Sequence, residues 1–141
     1  MKKILLKSLF FLIAILYFNL LNAETSFLKK GKKLYDAKKY NEAKLLFEKD
    51  LVYNPKSETS YLYLAKIFNK KDKEKLEENN LNTVILLNPK NEEAIYDLIL
   101  LNINRSNFSK ADELIKTFDA VCVNLCNSSK KIKAKLKDSL N

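Results

Sequence analysis

The sequence predicts an all-α chain made of helical hairpins that repeat along its length. A 34-residue interval separates Pro55 from Pro89, and each proline follows a short apolar stretch that ends in asparagine. Apolar residues recur at helical spacing between positions 61 and 68, and no long run alternates as a strand would. One glycine and two prolines among 141 residues are too few for a turn-rich β-sandwich.

Residues 1–23 predict an export signal that is not part of the fold. Lysines at the start precede an uninterrupted apolar run over 9–18, and Ala23 is a small residue suited to cleavage. The run is short for an ordinary membrane-spanning helix. Leu21 departs from the small residue that a cleavage site prefers, so an uncleaved inner-membrane anchor stays open as the alternative. We expect a bacterial periplasmic or secreted chain.

The 34-residue period holds well beyond the two prolines. Small residues recur in two columns and large apolar residues in two more, and these columns are Gly31 and Ala65; Ala43 and Ala111; Phe47, Leu81 and Ile115; Phe27, Tyr61 and Ile95. Glu77 interrupts the second small column. Small side chains let the two helices of a hairpin approach closely, and large ones fill the space between hairpins. Each proline ends the second helix of its hairpin, and Ser57 or Asn91 can cap the next one.

With these columns the chain resembles the tetratricopeptide repeat family, whose period is also about 34 residues. The resemblance implies a helix–turn–helix solenoid of about six repeat helices plus a C-terminal capping helix. The predicted repeats span 24–57, 58–91 and 92–125, and the basic capping helix spans 126–141. The third repeat departs from the pattern, because it has Ile99 in place of the small residue and lacks the closing proline at Val123.

The basic tail is predicted to cover the open end of the last repeat. Ile132, Leu136 and Leu140 recur every four residues and would form a narrow apolar stripe among lysines. Terminal helices of solenoids are apolar inside and polar outside. A basic helix that lies on an anionic membrane is the alternative.

Catalytic chemistry is not predicted. The chain has no histidine, which removes most zinc sites and catalytic triads, and it has no phosphate loop or other catalytic motif, so we expect no enzyme, no cofactor and no metal. The adjacent pairs Glu77–Glu78 and Glu92–Glu93 cannot converge on one bond, and we expect both to be solvated. Lysines alternate with acids, which is typical of solvated helix faces and argues against a nucleic-acid partner.

Cys122 and Cys126 are the only cysteines. Within a helix their Cβ atoms would stand about 5–6 Å apart, whereas a disulfide needs about 3.5–4.5 Å. A disulfide therefore requires the helix to unwind near Cys126. A local structural disulfide and two buried thiols that fill the last interface both stay open, and a redox activity of the pair is a third hypothesis.

The resemblance implies a function, because tetratricopeptide arrays are protein-interaction scaffolds whose first helices line a groove. The groove positions are Leu28, Lys32, Tyr35, Thr59, Leu62, Lys66, Asn69, Tyr96, Leu100 and Ile103. Lys32 and Lys66 stand one period apart and would suit a protein or peptide partner with an acidic group. The alternative for Leu62, Leu100 and Ile103 is that they pack internally.

The carboxylate clamp that some members of the family use to grip a C-terminal EEVD peptide does not map onto this chain. The positions where the clamp requires lysine and asparagine hold Leu28 and Lys32, and those further along hold Tyr63, Glu93 and Asp97. We therefore expect an exported, non-enzymatic scaffold in the bacterial cell envelope whose partner differs from a chaperone tail. A membrane-anchored, self-assembling factor with residues 1–23 retained is the alternative.

Overall fold

The computed structural model describes residues 26–140, and every regular element among them is an α-helix. The helices are α1 (26–36), α2 (Tyr40–Tyr53), α3 (Glu58–Asn69), α4 (Glu74–Leu87), α5 (Glu92–Asn104), α6 (Phe108–Val121) and α7 (Asn127–Ser139). The all-α prediction is confirmed. The predicted export signal at 1–23 lies outside the described residues. Within 26–140 no helix is both long enough and apolar enough to cross a bilayer.

The helices alternate as first and second members of hairpins, and each predicted repeat contains one such pair: α1–α2, α3–α4 and α5–α6. The three turns inside the hairpins share an unusual backbone. Lys38, Asp72 and Ser106 adopt positive φ angles of 59°, 52° and 57°, a region that side chains other than glycine disfavour. These residues are spaced by 34, so the period of the sequence is also a period of the backbone.

The ends of the helices follow the predicted punctuation. α2 ends at Tyr53 and α4 at Leu87, each two residues before a proline that cannot continue the helical ladder. Asn91 caps α5, because its side-chain oxygen accepts a 2.8 Å hydrogen bond from the backbone N–H of Ala94. The serine predicted as a cap, Ser57, accepts a longer 3.4 Å bond from the backbone N–H of Ser60.

The described residues form two compact units that divide between Ser60 and Tyr61. In the first unit the buried residues Gly31, Ala43 and Phe47 bring α1 and α2 together. The buried carboxylate of Asp50 accepts a 2.5 Å hydrogen bond from the hydroxyl of Ser60. The prediction that a small residue lets the two helices of a hairpin approach closely agrees with this contact at Gly31, whereas Phe47, predicted to fill the space between hairpins, lies against Gly31 inside its own hairpin.

The second unit has one continuous apolar core, to which α3, α4, α5, α6 and α7 all contribute. Ile99 is fully buried in this core even though it replaces the small residue of the repeat pattern. α7 packs on α5 and α6 through Ile132 and Leu136, which are 1% and 9% exposed. The prediction that Leu140 is the third residue of this apolar stripe was wrong. Leu140 is 62% exposed, because it lies one residue beyond the end of α7.

Candidate functional site

One face of the second unit gathers charged and aromatic side chains from the first helices α3 and α5. The Nζ atom of Lys66 lies 2.6 Å from an Oε atom of Glu93 and 5.1 Å from the ring centre of Tyr63. Burial alone would lower the pKa of Lys66, but the hydrogen bond and the charge of Glu93 outweigh it and raise the pKa. The lysine is therefore a firmly charged group held between a carboxylate and an aromatic ring.

Asp97 is the second carboxylate of this face. Burial, and to a lesser extent the charge of Glu93, raises the pKa of Asp97 to about 6, while Lys66 opposes the rise. Near neutral pH most molecules hold Asp97 charged, and protonation begins as the pH falls toward 6. The face thus offers two carboxylates for one lysine. We call Tyr63, Lys66, Glu93 and Asp97 the charged face.

The predicted groove residues of the second unit differ in their burial and in their contacts. Leu62 is 8% and Ile103 3% exposed, so both pack internally, as the alternative interpretation held. Leu100 is half-buried, and so is Tyr96, whose ring centre lies 6.2 Å from that of Phe118. Lys66 belongs to the charged face. The structure therefore leaves a smaller surface for binding than the full predicted set.

Asn69, another predicted groove residue, serves an internal acid. Its side-chain amide donates a 3.0 Å hydrogen bond to Glu77, which is only 4% exposed. Burial raises the pKa of Glu77, while Asn69 and Arg105 oppose the rise. The prediction that Glu77 is solvated was wrong, because this residue occupies the column that holds Ala43 and Ala111. The 34-residue register already contained that signal.

The first unit carries the remaining predicted groove residues. Leu28, Lys32 and Tyr35 are each half-buried on α1, and Thr59 is half-buried near the start of α3. The ring centres of Tyr35 and Tyr40 lie 5.4 Å apart, so this tyrosine also packs against its own hairpin. That the predicted residues of the two units form one shared binding groove stays a prediction.

The segment between α6 and α7 forms a second polar feature. Cys122 and Cys126 are joined as a disulfide with their Cα atoms 5.2 Å apart. α6 ends before Cys122 and α7 begins after Cys126, so the backbone has left the helix as the disulfide requires. The carboxylate of Glu92 accepts backbone N–H bonds of 2.6 Å from Leu125 and 3.0 Å from Asn124.

Glu92 stays partly exposed, as predicted, and also makes a contact with the segment before α7 that the sequence did not predict. The backbone N–H groups of Leu125 and Asn124 lower the pKa of Glu92, because they donate hydrogen bonds to its charged form. Helical spacing contains no signal for this contact, because the donors lie far along the chain in an irregular segment. Glu92 holds the connection to α7 in place.

The described part of the chain offers no cluster of metal ligands. Within residues 26–140 no three cysteine, aspartate or glutamate side chains come together as metal ligands would. The charged face contains two carboxylates, and the disulfide engages both cysteines.

Comparison with solved structures supports the fold strongly, although no protein-family model and no curated protein matches the chain. The Arabidopsis OM64 TPR domain superposes with a TM-score of 0.76 at 17% identity, over 84% of this chain and 98% of that one. The first TPR of Spaghetti (RPAP3), bound to the HSP90 peptide SRMEEVD, gives 0.74 at 15% identity, over 85% and 98%.

A bacterial example is equally similar. The Yersinia enterocolitica type III secretion chaperone SycD, in complex with a peptide of the translocator YopD, gives a TM-score of 0.74 at 12% identity, over 82% of this chain and 91% of that one. These similarities, together with the 34-residue period of the turns, establish that the chain has the tetratricopeptide-repeat fold.

Proposed function

We propose that the chain is an exported, non-enzymatic scaffold of the bacterial cell envelope that binds a protein or peptide partner. The observation that carries the proposal is the charged face, where α3 and α5 present Lys66, Glu93 and Asp97 beside a tyrosine ring. Charged groups over aromatic rings on a rigid helical scaffold are features of peptide-recognition surfaces.

The similar structures support a peptide partner. The Spaghetti domain holds the HSP90 peptide and SycD holds the YopD peptide, and both share this helix–turn–helix fold. Similarity at such low sequence identity carries over the fold and not the ligand. The clamp residues for an EEVD tail are missing here, so we propose a different sequence for the partner.

The charged face refines the partner chemistry that the sequence predicts. Glu93 already pairs with Lys66, so an incoming carboxylate must compete with it at 2.6 Å. Asp97, on the same face, accepts hydrogen bonds or a cation. We therefore propose a partner segment that carries both an acidic group for Lys66 and a donor group for Asp97, in place of a uniformly acidic tail.

A crosslinking pull-down from the envelope fraction tests the proposal. Wild-type chain is compared with Lys66→Glu, with the exchanged pair Lys66→Glu, Glu93→Lys, and with Lys75→Glu as a control. Lys75 is 80% exposed on the second helix α4 and pairs with Glu78, so the control reverses a paired lysine away from the face. We expect one protein to be recovered with wild type and control and lost with both variants of the face.

The exchanged pair separates recognition from folding. It restores an ion pair between α3 and α5, so it should keep the wild-type helical signal in circular dichroism. If the exchanged pair recovers the same partner as wild type, the positions of the charges do not matter and the proposed face is wrong.

The export assignment needs its own measurement. Intact mass of the chain purified from bacterial cells reports whether residues 1–23 are removed. Cleavage after Ala23 supports the exported scaffold. Retention of the segment in a membrane fraction supports the anchored alternative, which Leu21 at the cleavage region keeps open.

A further inference from the structure

A groove between α6 and α7 lies apart from the charged face. It encloses about 400 Å³, and its apolar lining comes from Ile115, Leu136 and Leu140. The first two side chains are buried, whereas Leu140 is 62% exposed at the open end. Leu140 therefore extends the apolar lining to the solvent-exposed end of the groove.

The 34-residue register assigns α7 a place in the repeat. Leu64, Leu98 and Ile132 stand one repeat period apart and are all buried, on α3, α5 and α7 respectively. Phe68 and Leu136 are two periods apart and are also buried. α7 therefore has the packing pattern of a first helix, in a fourth repeat.

Within the described residues, α7 has no second helix of its own repeat, and the next column of the register shows the consequence. In the first repeat Gly31 faces the ring of Phe47 on the second helix. Ala65 and Ile99 occupy the same column and are 1% and 0% exposed. Lys133 is the member of this column on α7, and its side chain is 55% exposed and lines the groove. By this register, the groove lies where a second helix would pack in a fourth repeat, as α2 packs on Gly31 in the first.

The charges around the groove indicate the chemistry of an incoming helix. α7 carries five lysines and one aspartate. Lys116, Lys133 and Lys137 line the groove with Asp112 and Asp119. Two of these lysines form ion pairs with the aspartates, Lys116 with Asp112 at 2.7 Å and Lys133 with Asp119 at 2.6 Å, so the lining carries one more positive than negative charge.

We propose that this groove binds an amphipathic α-helix of another protein, with a strip of leucine-sized side chains flanked by acidic residues. The incoming helix packs as the second helix of the fourth repeat, and its acids face the lysines of α6 and α7. The apolar lining supplies the contact area, and the lysines select against basic helices. This surface is independent of the charged face.

Binding of a synthetic probe tests the proposal on the full chain. The probe is a fluorescent helical peptide of 14 residues, the length of α2, α4 and α6, with leucines on one face and glutamates beside them. A second probe has lysines in place of the glutamates. We expect fluorescence anisotropy to show saturable binding of the acidic probe, at least about tenfold tighter than the basic one.

Two charge-matched variants locate the binding. Lys116→Glu, Lys137→Glu changes the groove, and Lys130→Glu, Lys131→Glu makes the same charge change at exposed positions of α7 outside its lining. We expect the groove variant to weaken the acidic probe about tenfold and the control about twofold or less. Leu140→Asp, which changes an exposed side chain, should weaken it too.

Four outcomes contradict the proposal. Equal binding of both probes removes the charge selection, and equal weakening by both variants means that net charge alone attracts the probe. Dimerisation in sedimentation that the groove variant abolishes assigns the groove to a second copy of this chain. Binding to phosphatidylglycerol vesicles without binding of the acidic probe assigns α7 to a membrane.

Discussion

The hairpin of the first unit and the last hairpin of the second unit solve one packing problem with different side chains. In the first, Gly31 is covered by Phe47, and in the last, Ile99 stands in the glycine column and Ile115 in the phenylalanine column. From the first hairpin to the last, the residue of the first helix grows from glycine to isoleucine, while the residue of the second helix shrinks only from phenylalanine to isoleucine. The last hairpin therefore accommodates a larger pair than the first, and neither residue of the first pair is required by the fold.

The middle hairpin resembles the first in total size. Ala65 and Leu81 occupy the two columns and are 1% and 0% exposed, so a larger residue on the first helix is matched by a smaller one on the second. A close-packed interior tolerates exchanges that keep total volume and resists those that do not. The third hairpin departs from this balance, because Ile99 and Ile115 form a larger pair and are still 0% and 3% exposed.

The largest predicted effect comes from a larger side chain at the contact between Gly31 and Phe47 in the first hairpin. A Cβ atom at Gly31 would already lie 2.9 Å from the ring of Phe47, so Gly31→Leu forces α1 and α2 apart. We expect a loss of about 3 kcal/mol or more in the free energy of unfolding, at the upper end of overpacking effects. Thermal melts followed by circular dichroism measure it. An unchanged melting temperature would show that the two helices do not meet at Gly31.

A double variant transfers the residue pair of the middle hairpin into the first hairpin. Gly31→Ala, Phe47→Leu reproduces the pair Ala65 and Leu81 in the first hairpin. Gly31→Ala alone should destabilise by about 1 kcal/mol through crowding, and Phe47→Leu alone by about 1 kcal/mol through lost contact. The double variant should be more stable than the sum of the two, by about 1 kcal/mol. Simple additivity would show that the side chains at positions 31 and 47 do not compete for the same space.

Asp97 on α5 predicts that the stability of the second unit depends on pH. Lys29 and Tyr63 precede Asp97 at intervals of 34. Because the folded pKa of Asp97 is raised from 3.8 to about 6, the folded state binds the proton more tightly than the unfolded state. Stability is therefore highest below about pH 4 for this group and falls as the pH rises to about 6.

Asp97→Asn should abolish that part of the pH dependence. Above pH 6 the variant should gain about 1–2 kcal/mol, since the side chain is partly buried and solvent reduces the penalty. Urea unfolding at several pH values gives the comparison. If the free energy of unfolding of the wild type rose between pH 4 and pH 6 relative to that of Asp97→Asn, the predicted sign would be wrong.

The turns allow a smaller, stabilising change. Lys38 adopts a φ of 59° in the first hairpin, and Ser106 adopts 57° in the last. Lys38→Gly and Ser106→Gly relieve this conformation and should each raise stability by about 0.5 kcal/mol after the entropy cost of glycine. Destabilisation by either substitution would mean that the side chain, and not the backbone, holds the turn.

The smallest global effect is expected at the connection to α7. Glu92→Gln removes the negative charge that two backbone N–H groups contact. Hydrogen exchange at Asn124 and Leu125 should accelerate, while the core of α5 and α6 stays protected, because the contact lies outside the apolar core. Equal acceleration throughout the second unit would show that this connection supports the whole core.

The columns predicted the fold but not the pairs of charges. Helical pattern, prolines and the register of Gly31 and Phe47 follow from local sequence and one period, so they were predictable. Lys66 and Glu93 lie on different helices, and their contact depends on how α3 packs on α5. Lys66 was therefore predicted as a cation open to an acidic partner, whereas the structure pairs it with a carboxylate.

Burial of polar residues was predictable in part. The register placed Glu77 in a small-residue column, which implied burial, although its chemistry suggested solvent. Leu140 was misassigned because the four-residue stripe continues in sequence after α7 has ended. The end of a helix decides such residues, and the lysine-rich tail contains neither glycine nor proline to mark it.

The most direct test of the proposed function is photo-crosslinking inside the cells that make the chain. A benzophenone amino acid replaces Tyr63 on the charged face or, as a control, Leu86, which is 82% exposed on the second helix α4. The account predicts one discrete adduct from position 63 and none from position 86. An adduct from position 86 alone, or equal adducts from both, would contradict binding through the charged face.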